Sequence, residues 1–272
     1  MQKLLFVSDP HITIDGETII GLDPAERLKA ILEAAITAHA DAEALVLLGD
    51  LTHHGAPAEY ARLQSVLAGV PIPIIPMMGN HDRRQAFIEL FPETPLADGF
   101  VQQVRDFGQT RLITLDSLDG PPYRDGHHAG RLCPTRLEFL ETALATRGDK
   151  YAIVCVHHPP FATGITGMDS IRLAEGSAFL DLLASYGKLH LICGHIHRTM
   201  SGSTRGVPWS MFKSPCHQGL LAFDDPNSHL SSNEPGAYGL ALLSGDGVVI
   251  HSEDVGLTGR QVFGGYAVAD HP

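Results

Sequence analysis

Five apolar runs punctuate the chain, and each ends in side chains of a metal-ligating type. Lys3 to Ser8 leads into Asp9 and His11, and Ala44 to Gly49 leads into Asp50. Ile72 to Met78 leads through Gly79 into Asn80 and His81. Tyr151 to Val156 leads into His157, and Leu189 to Gly194 leads into His195 and His197. The runs are continuous rather than alternating, which predicts strands covered on both faces.

Helical periodicity fills the intervals. Pro24 to Ala38 repeats Leu28, Ile31, Leu32 and Ala35 at helical spacing, with Asp23 as N-cap and Pro24 at the first helical position. Further helices are predicted over Pro57 to Leu67, Arg83 to Phe91, Pro134 to Arg147 and Glu175 to Tyr186; Gly148 and Gly187 close the last two. Strand–helix alternation predicts an α/β fold, largely parallel, with ligands gathered at the carboxyl ends of the strands. Gly99 to Phe107 and Arg111 to Ser117 read as a hairpin around Gly108. The loop from Leu118 to Gly130 is expected to lie over a strand-end rim. After His197 the pattern becomes antiparallel: Thr199 to Ser203, Val207 to Ser214, Gly219 to Phe223, and a hairpin of Ala237 to Leu243 with Val248 to Val255. Asp224 to Pro235 is a polar loop, and the stretch from Gly256 is Gly-rich and weakly specified.

Composition narrows the class. A chain of 272 residues, 44% hydrophobic and 18% charged, can bury a full core. Its formal net charge of -12 argues against a nucleic-acid polymer as partner. A small anionic substrate remains compatible, because bound cations invert the local field. No window approaches the ~18 uninterrupted apolar residues of a membrane helix. The N-terminus lacks the three-part design of a signal peptide, so a cytoplasmic protein with no membrane partner is expected. Cys133, Cys155, Cys193 and Cys216 form no C-x-x-C pair, which predicts free thiols, buried at Cys155 and Cys193.

Taken singly, the run-ending motifs are weak. Asp-x-His after a strand is commonly a cap, and Gly-Asp and Gly-Asn are turn pairs. Their joint order is informative: Asp9-x-His11, Gly49-Asp50, Gly79-Asn80-His81-Asp82, His157-His158 and Gly194-His195-x-His197, each after an apolar run. Mixed imidazole and carboxylate donors suit Fe, Mn, Zn or Co.

This ordered set resembles the calcineurin-like metallophosphoesterase superfamily over roughly residues 3–200. The resemblance implies an αββα two-sheet sandwich, with a catalytic core over 1–200. Residues 201–272 would supply C-terminal strands that complete the second sheet and form a cap or dimer surface. It implies two metal ions, one held by Asp9, His11, Asp50 and His197, the other by Asp50, Asn80, His157 and His195, with Asp50 bridging. His158 would support the ligands from behind or be structural. The implied reaction is in-line attack of a metal-bridging hydroxide on a small phosphodiester. Asp50 and His81 would be the catalytic residues, His81 contacting a substrate oxygen or protonating the leaving alkoxide. Asn80, His81, His197 and His217 would contact substrate, and the chain would form a homodimer.

The block Gly49-Asp50-Leu51-Thr52-His53-His54-Gly55 lacks the Arg of phosphoprotein phosphatases and the Tyr of purple acid phosphatases. His157-His158-Pro159-Pro160, Leu115-Asp116-Ser117, Gly130-Arg131-Leu132 and Cys216-His217-Gln218 look like class III cyclic-nucleotide phosphodiesterases and the related glycerophosphodiesterases. Where many relatives carry an Asp that orients the catalytic imidazole, this chain has His53. An imidazole cannot stabilise an imidazolium as a carboxylate would. Either Asp82 or another acid substitutes, or His81 is a weaker acid. A phosphomonoesterase and a non-catalytic scaffold are the competing readings.

Overall fold

The computed structural model describes residues 2–123 and 127–258. In chain order the first half runs β1 (Gln2–Val7), α1 (Pro24–Ala38), β2 (Ala44–Leu47), α2 (Pro57–Leu67), β3 (Ile74–Pro76), α3 (Arg84–Leu90), β4 (Gln103–Phe107) and β5 (Thr110–Leu115). It continues with α4 (Pro134–Ala145), β6 (Tyr151–Val156), α5 (Thr166–Asp169), α6 (Gly176–Tyr186), β7 (Leu189–Cys193), β8 (Met200–Thr204) and β9 (Val207–Met211). Four short or late strands follow: β10 (Gln218–Gly219), β11 (Ser231–Ser232), β12 (Ala237–Leu243) and β13 (Val248–Asp254). The centre of the 118–130 loop and the chain beyond residue 258 lie outside the described residues.

The strands form two main sheets, ordered β13-β12-β1-β2-β3 and β4-β5-β6-β7-β9-β8. The unbroken apolar runs are explained by what covers their two faces. Alternate residues of a strand point to opposite sides. Leu5, Val7, Leu45 and Leu47 turn outward onto the helical layer with Leu28, Ile31, Leu32 and Leu63. Their neighbours Leu4, Phe6, Val46 and Leu48 turn inward against Leu112, Ile153, Cys155, Ile192 and Phe212 of the opposite sheet. On the far side Val154, Val156, Leu191 and Cys193 meet Leu140, Phe179, Leu180 and Leu183 of α4 and α6. Helices thus cover one face of each sheet, and the sheets cover each other.

Residues past 200 do not all complete the second sheet. β8 and β9 extend it beside β7. β12 instead pairs antiparallel with β1 in the first sheet, and β13 pairs with β12. The reason lies in β12: nearly every side chain is apolar and buried, so it requires an inner position with cover on both faces. Segments on both sides of residue 200 therefore share both sheets.

Local predictions fare unevenly. The Asp23 carboxylate caps α1, accepting from the Ala25 N–H at 2.9 Å. The strand expected over Gly219 to Phe223 shrinks to two residues paired with β11, because Leu221 and Phe223 are more than half exposed and burial does not hold it extended. The single turn α5 was not anticipated; it is tied by the Asp169 carboxylate, which accepts from Thr163 and Gly164. Among the described residues no helix is long and apolar enough to cross a membrane. All four cysteines are free, and Cys155 and Cys193 are buried.

At the edge of the second sheet, Asp106 accepts from Arg111 at 2.7 and 2.9 Å and from Lys150 at 2.7 Å. The Arg111 hydrogen bonds, with those from Lys150, hold its carboxyl down to about 2. A depressed carboxyl pKa stabilises the fold above its unfolded value of ~3.9, and that contribution is lost as pH falls toward about 2. Asp106→Asn should therefore cost less than ~1 kcal/mol at neutral pH, since the pair is half-exposed. The difference from wild type in urea unfolding should vanish by about pH 2; a pH-independent difference would refute the assignment.

Candidate metal centre

The carboxyl ends of β1, β2, β3 and β7 converge on one cavity of about 250 Å³, and β6 delivers His157 beside Asp50 behind it. Asp9, His11, Asp50, His195 and His197 all leave their strands with left-handed backbone, φ between 47° and 74°. Such a conformation is uncommon for non-glycine residues and costs of order 1–3 kcal/mol each. Five instances among the sequence-predicted ligands mark a place where the fold accepts strain to aim side chains.

The geometry is centred on Asp50. Its Oδ1 accepts the His81 backbone N–H at 2.9 Å. Its Oδ2 lies 3.4 Å from His11 Nε2 and 3.3 Å from His157 Nε2. On one side His11 Nε2 and His197 Nε2 approach to 3.1 Å, and His197 Nε2 is 3.4 Å from Asp9 Oδ1. On the other, Asn80 Oδ1 is 3.3 Å from His157 Nε2. The His195 ring packs 5.2 Å from that of His157, and its Nε2 is buried without a hydrogen-bond partner. The structure brings all seven predicted ligands together.

The tautomers follow from the outer bonds. His157 Nδ1–H donates to the Leu48 carbonyl at 2.8 Å, and His197 Nδ1–H donates to the His217 carbonyl at 3.1 Å. Both imidazoles therefore present Nε2 inward, the usual arrangement of a ligating histidine. Burial holds His11 and His195 well below the ordinary histidine range, in the neutral form that binds metal. Burial also opposes charge on His157, but the Asp50 carboxylate outweighs it and lifts His157 to about 9, so its Nε2 gives up a proton to a cation that binds there. Asp50 itself stays well below the usual carboxylate range despite burial, chiefly through His157 and His81. Nitrogen lone pairs and carboxylate oxygens turned on one another, with a buried imidazole nitrogen unpartnered, are a donor set that a cation pair satisfies. Asp9, His11, Asp50 and His197 all offer atoms within 4.8 Å of one another.

His81 stands beside these residues, its ring 4.6 Å from that of His11. Its expected acidic partner is not Asp82. The Asp82 carboxylate points away, accepting from Gly79 N–H at 2.9 Å, Leu51 N–H at 3.1 Å, Thr52 N–H at 3.2 Å and Tyr60 O–H at 2.9 Å. His81 Nδ1–H donates instead to the His53 backbone carbonyl at 2.7 Å. A main-chain carbonyl does the orienting, so the residue type at 53 is not what sets the tautomer. The His53 ring lies over His81 at 5.3 Å, held near 4 and hence neutral by burial and by His81.

The remaining predicted residues find definite places. His217 lines the cavity 4.6 Å from His197, its Nδ1 buried and unpartnered. His158 is fully buried with both nitrogens engaged, by Ser117 Oγ and the His128 carbonyl. Asp116, of the Leu115-Asp116-Ser117 stretch, is an ion-pair partner of Arg84 at 2.6 Å. Gly79 permits close approach: a Cβ there would collide with the Asp50 carboxylate and backbone N. Sequence reading missed His128, which lines the cavity from the 118–130 loop; its one signal was the expectation that this loop covers a strand-end rim. It also missed the aliphatic wall of Ile19, Ile20, Met168, Ile171 and Leu230.

A two-sheet α/β sandwich with this donor set at its strand ends defines the metallophosphoesterase class. The sequence matches the family described as Calcineurin-like phosphoesterase over residues 2–199, and the chain belongs to that family. It is 42% identical over 256 residues, 92% of this chain and 91% of the relative, to a Rhodopseudomonas palustris protein named "Probable cyclic nucleotide phosphodiesterase". It is 28% identical over 246 residues, 85% of this chain and 84% of the relative, to a glycerophosphodiester phosphodiesterase of Enterobacter lignolyticus. Among solved structures, a dimetal phosphatase of Danio rerio superposes with a TM-score of 0.69 at 15% identity, covering 93% of this chain and 96% of that one, a likeness of fold alone.

Removing the Asp82 carboxylate tests whether it locks the Asp50 and Asn80 loops together. Asp82→Ala strands three buried backbone donors, each costing ~1–3 kcal/mol. A stability loss of at least ~3 kcal/mol in urea unfolding is expected, with weaker metal retention. A loss below ~1 kcal/mol would show that the loops are held otherwise.

Proposed function

We propose that the chain is a dinuclear metal-dependent phosphoric diester hydrolase acting on small phosphodiesters, of cyclic-nucleotide or glycerophosphodiester type. The observation that carries the reading is the Asp50 carboxylate, whose Oδ2 faces His11 and His157 at 3.4 and 3.3 Å, where one oxygen serves two pockets. One pocket would be Asp9, His11, Asp50 and His197; the other, Asp50, Asn80, His157 and His195. Their imidazole and carboxylate donors suit two ions drawn from Fe, Mn, Zn or Co. Such ions, when bound, supply an activated water near neutral pH and offset charge on the phosphoryl oxygens.

The chain's own side chains do the rest. The His53 carbonyl fixes His81 so that Nε2 is the nitrogen available to substrate, where the protonated ring would donate to the leaving alkoxide. Asn80, His197 and His217 flank the same space and contact the diester. Ile19, Ile20, Met168, Ile171 and Leu230 form an aliphatic wall that receives an ester's organic substituent. Relatives named as a cyclic nucleotide phosphodiesterase and a glycerophosphodiester phosphodiesterase favour the diester reading over a phosphomonoesterase. The net charge of -12 favours small substrates over a polynucleotide. We further read the chain as cytoplasmic and homodimeric. On this reading residues 1–200 are the catalytic core, and the 201–272 region adds His217 and Leu230 to the cavity and a cap or dimer surface where Leu221 and Phe223 are exposed.

Metal-free protein reconstituted with Mn, Co, Zn or Fe should hydrolyse an activated aryl diester faster than the matching monoester. Asp50→Asn should abolish turnover, and His81→Ala should slow it ~10²–10⁴-fold. No turnover with any of these metals, or full activity of Asp50→Asn, would overturn the reading. A loss under tenfold in His81→Ala would remove its role as proton donor.

A further inference from the structure

The pocket built around Asn80 poses a problem of orientation. A carboxamide has one oxygen and one nitrogen, and only the oxygen ligates a cation. Turned the wrong way, Asn80 would present an NH₂ group to a metal. Nothing on its own loop decides the matter. Asn80 Nδ2 lies 2.9 Å from His128 Nδ1, across 48 positions of sequence. An amide NH₂ only donates, so His128 Nδ1 accepts and its proton sits on Nε2. This bond turns Asn80 Oδ1 toward His157.

His128 is itself held by a built support. His158 Nε2–H donates to the His128 carbonyl at 3.0 Å. With its proton on Nε2, His158 accepts at Nδ1 from Ser117 Oγ at 2.8 Å. The loop end is fastened by Arg131 N–H to the Ser117 carbonyl at 2.9 Å and by Ala174 N–H to the Gly130 carbonyl at 2.8 Å. Gly130 packs against the His158 ring so closely that a Cβ there would collide with it. The second histidine of His157-His158, and Gly130, which the chemistry of the site otherwise leaves without a purpose, thus serve one end.

We propose that His128 is the positioning residue of the Asn80 pocket: it selects the amide rotamer that offers oxygen to the metal, and His158 braces it there. The inference rests on the dinuclear reading of the site. Partners of this kind are worth ~10–100-fold in metal affinity.

Equilibrium dialysis of the metal-free full-length chain against Mn(II) tests it without recourse to turnover. Wild type should bind two ions. His128→Ala should weaken one of the two ~10–100-fold and leave the other unchanged. Two further variants separate orientation from loop damage. His128→Asn keeps an acceptor at the δ position and should recover most of the loss. In an Asn80→Asp background the His128→Ala loss should disappear, the two chains binding alike, because a carboxylate has two equivalent oxygens and needs no orienting. A wild-type chain that binds fewer than two ions overturns the dinuclear reading and this inference with it. Wild-type affinity in His128→Ala, or a loss that neither second change recovers, overturns this inference alone.

Discussion

Everything at the strand ends depends on one carboxylate being shared. Asp50 Oδ1 is occupied by the His81 N–H, which leaves Oδ2 fixed between His11 and His157. Such a placement requires strands from two sheets to deliver side chains to the same few ångströms. β1 and β2 bring Asp9, His11 and Asp50, whereas β6 and β7 of the opposite sheet bring His157, His195 and His197. The inward apolar faces set the separation of the sheets, so the packing of Phe6 on Phe212 and the site geometry are parts of one constraint.

That concentration of donors opposes folding by the chain alone. Left-handed backbone at five candidate ligand positions adds strain, and buried imidazoles and carboxylates lose solvation. The fold holds them through cross-ties that reach over long stretches of sequence. Asp9 accepts from the His195 N–H at 2.9 Å, Asp82 ties the Gly79 turn to Leu51 and Thr52, and Ser214 Oγ donates to the Asp9 carbonyl at 2.7 Å. Cation binding satisfies the inward lone pairs, so metal affinity and stability are linked.

The proposed metal pockets are legible in the sequence because each candidate ligand follows an apolar run, and strand ends are where an α/β fold collects its chemistry. Continuity of those runs also foretold cover on both faces. What the pattern could not supply was the nature of that cover: a second sheet satisfies a two-faced strand as well as a helix does, and β12 reaches β1 from more than two hundred residues away. The supporting groups were hidden for a different reason. His81 is oriented by a main-chain carbonyl, which has no residue signature, and His128 lies in a loop with no periodicity. Asp82 was one candidate to replace the orienting acid missing at position 53, yet its carboxylate faces the opposite way.

The shared carboxylate is tested most directly by locating the metals. Crystals of the chain grown with Mn(II) and measured for anomalous scattering should show two peaks ~3.5–4 Å apart, one on each side of the Asp50 carboxylate. A single peak, or a pair in which Asp50 touches only one ion, would contradict a dinuclear centre built on that residue.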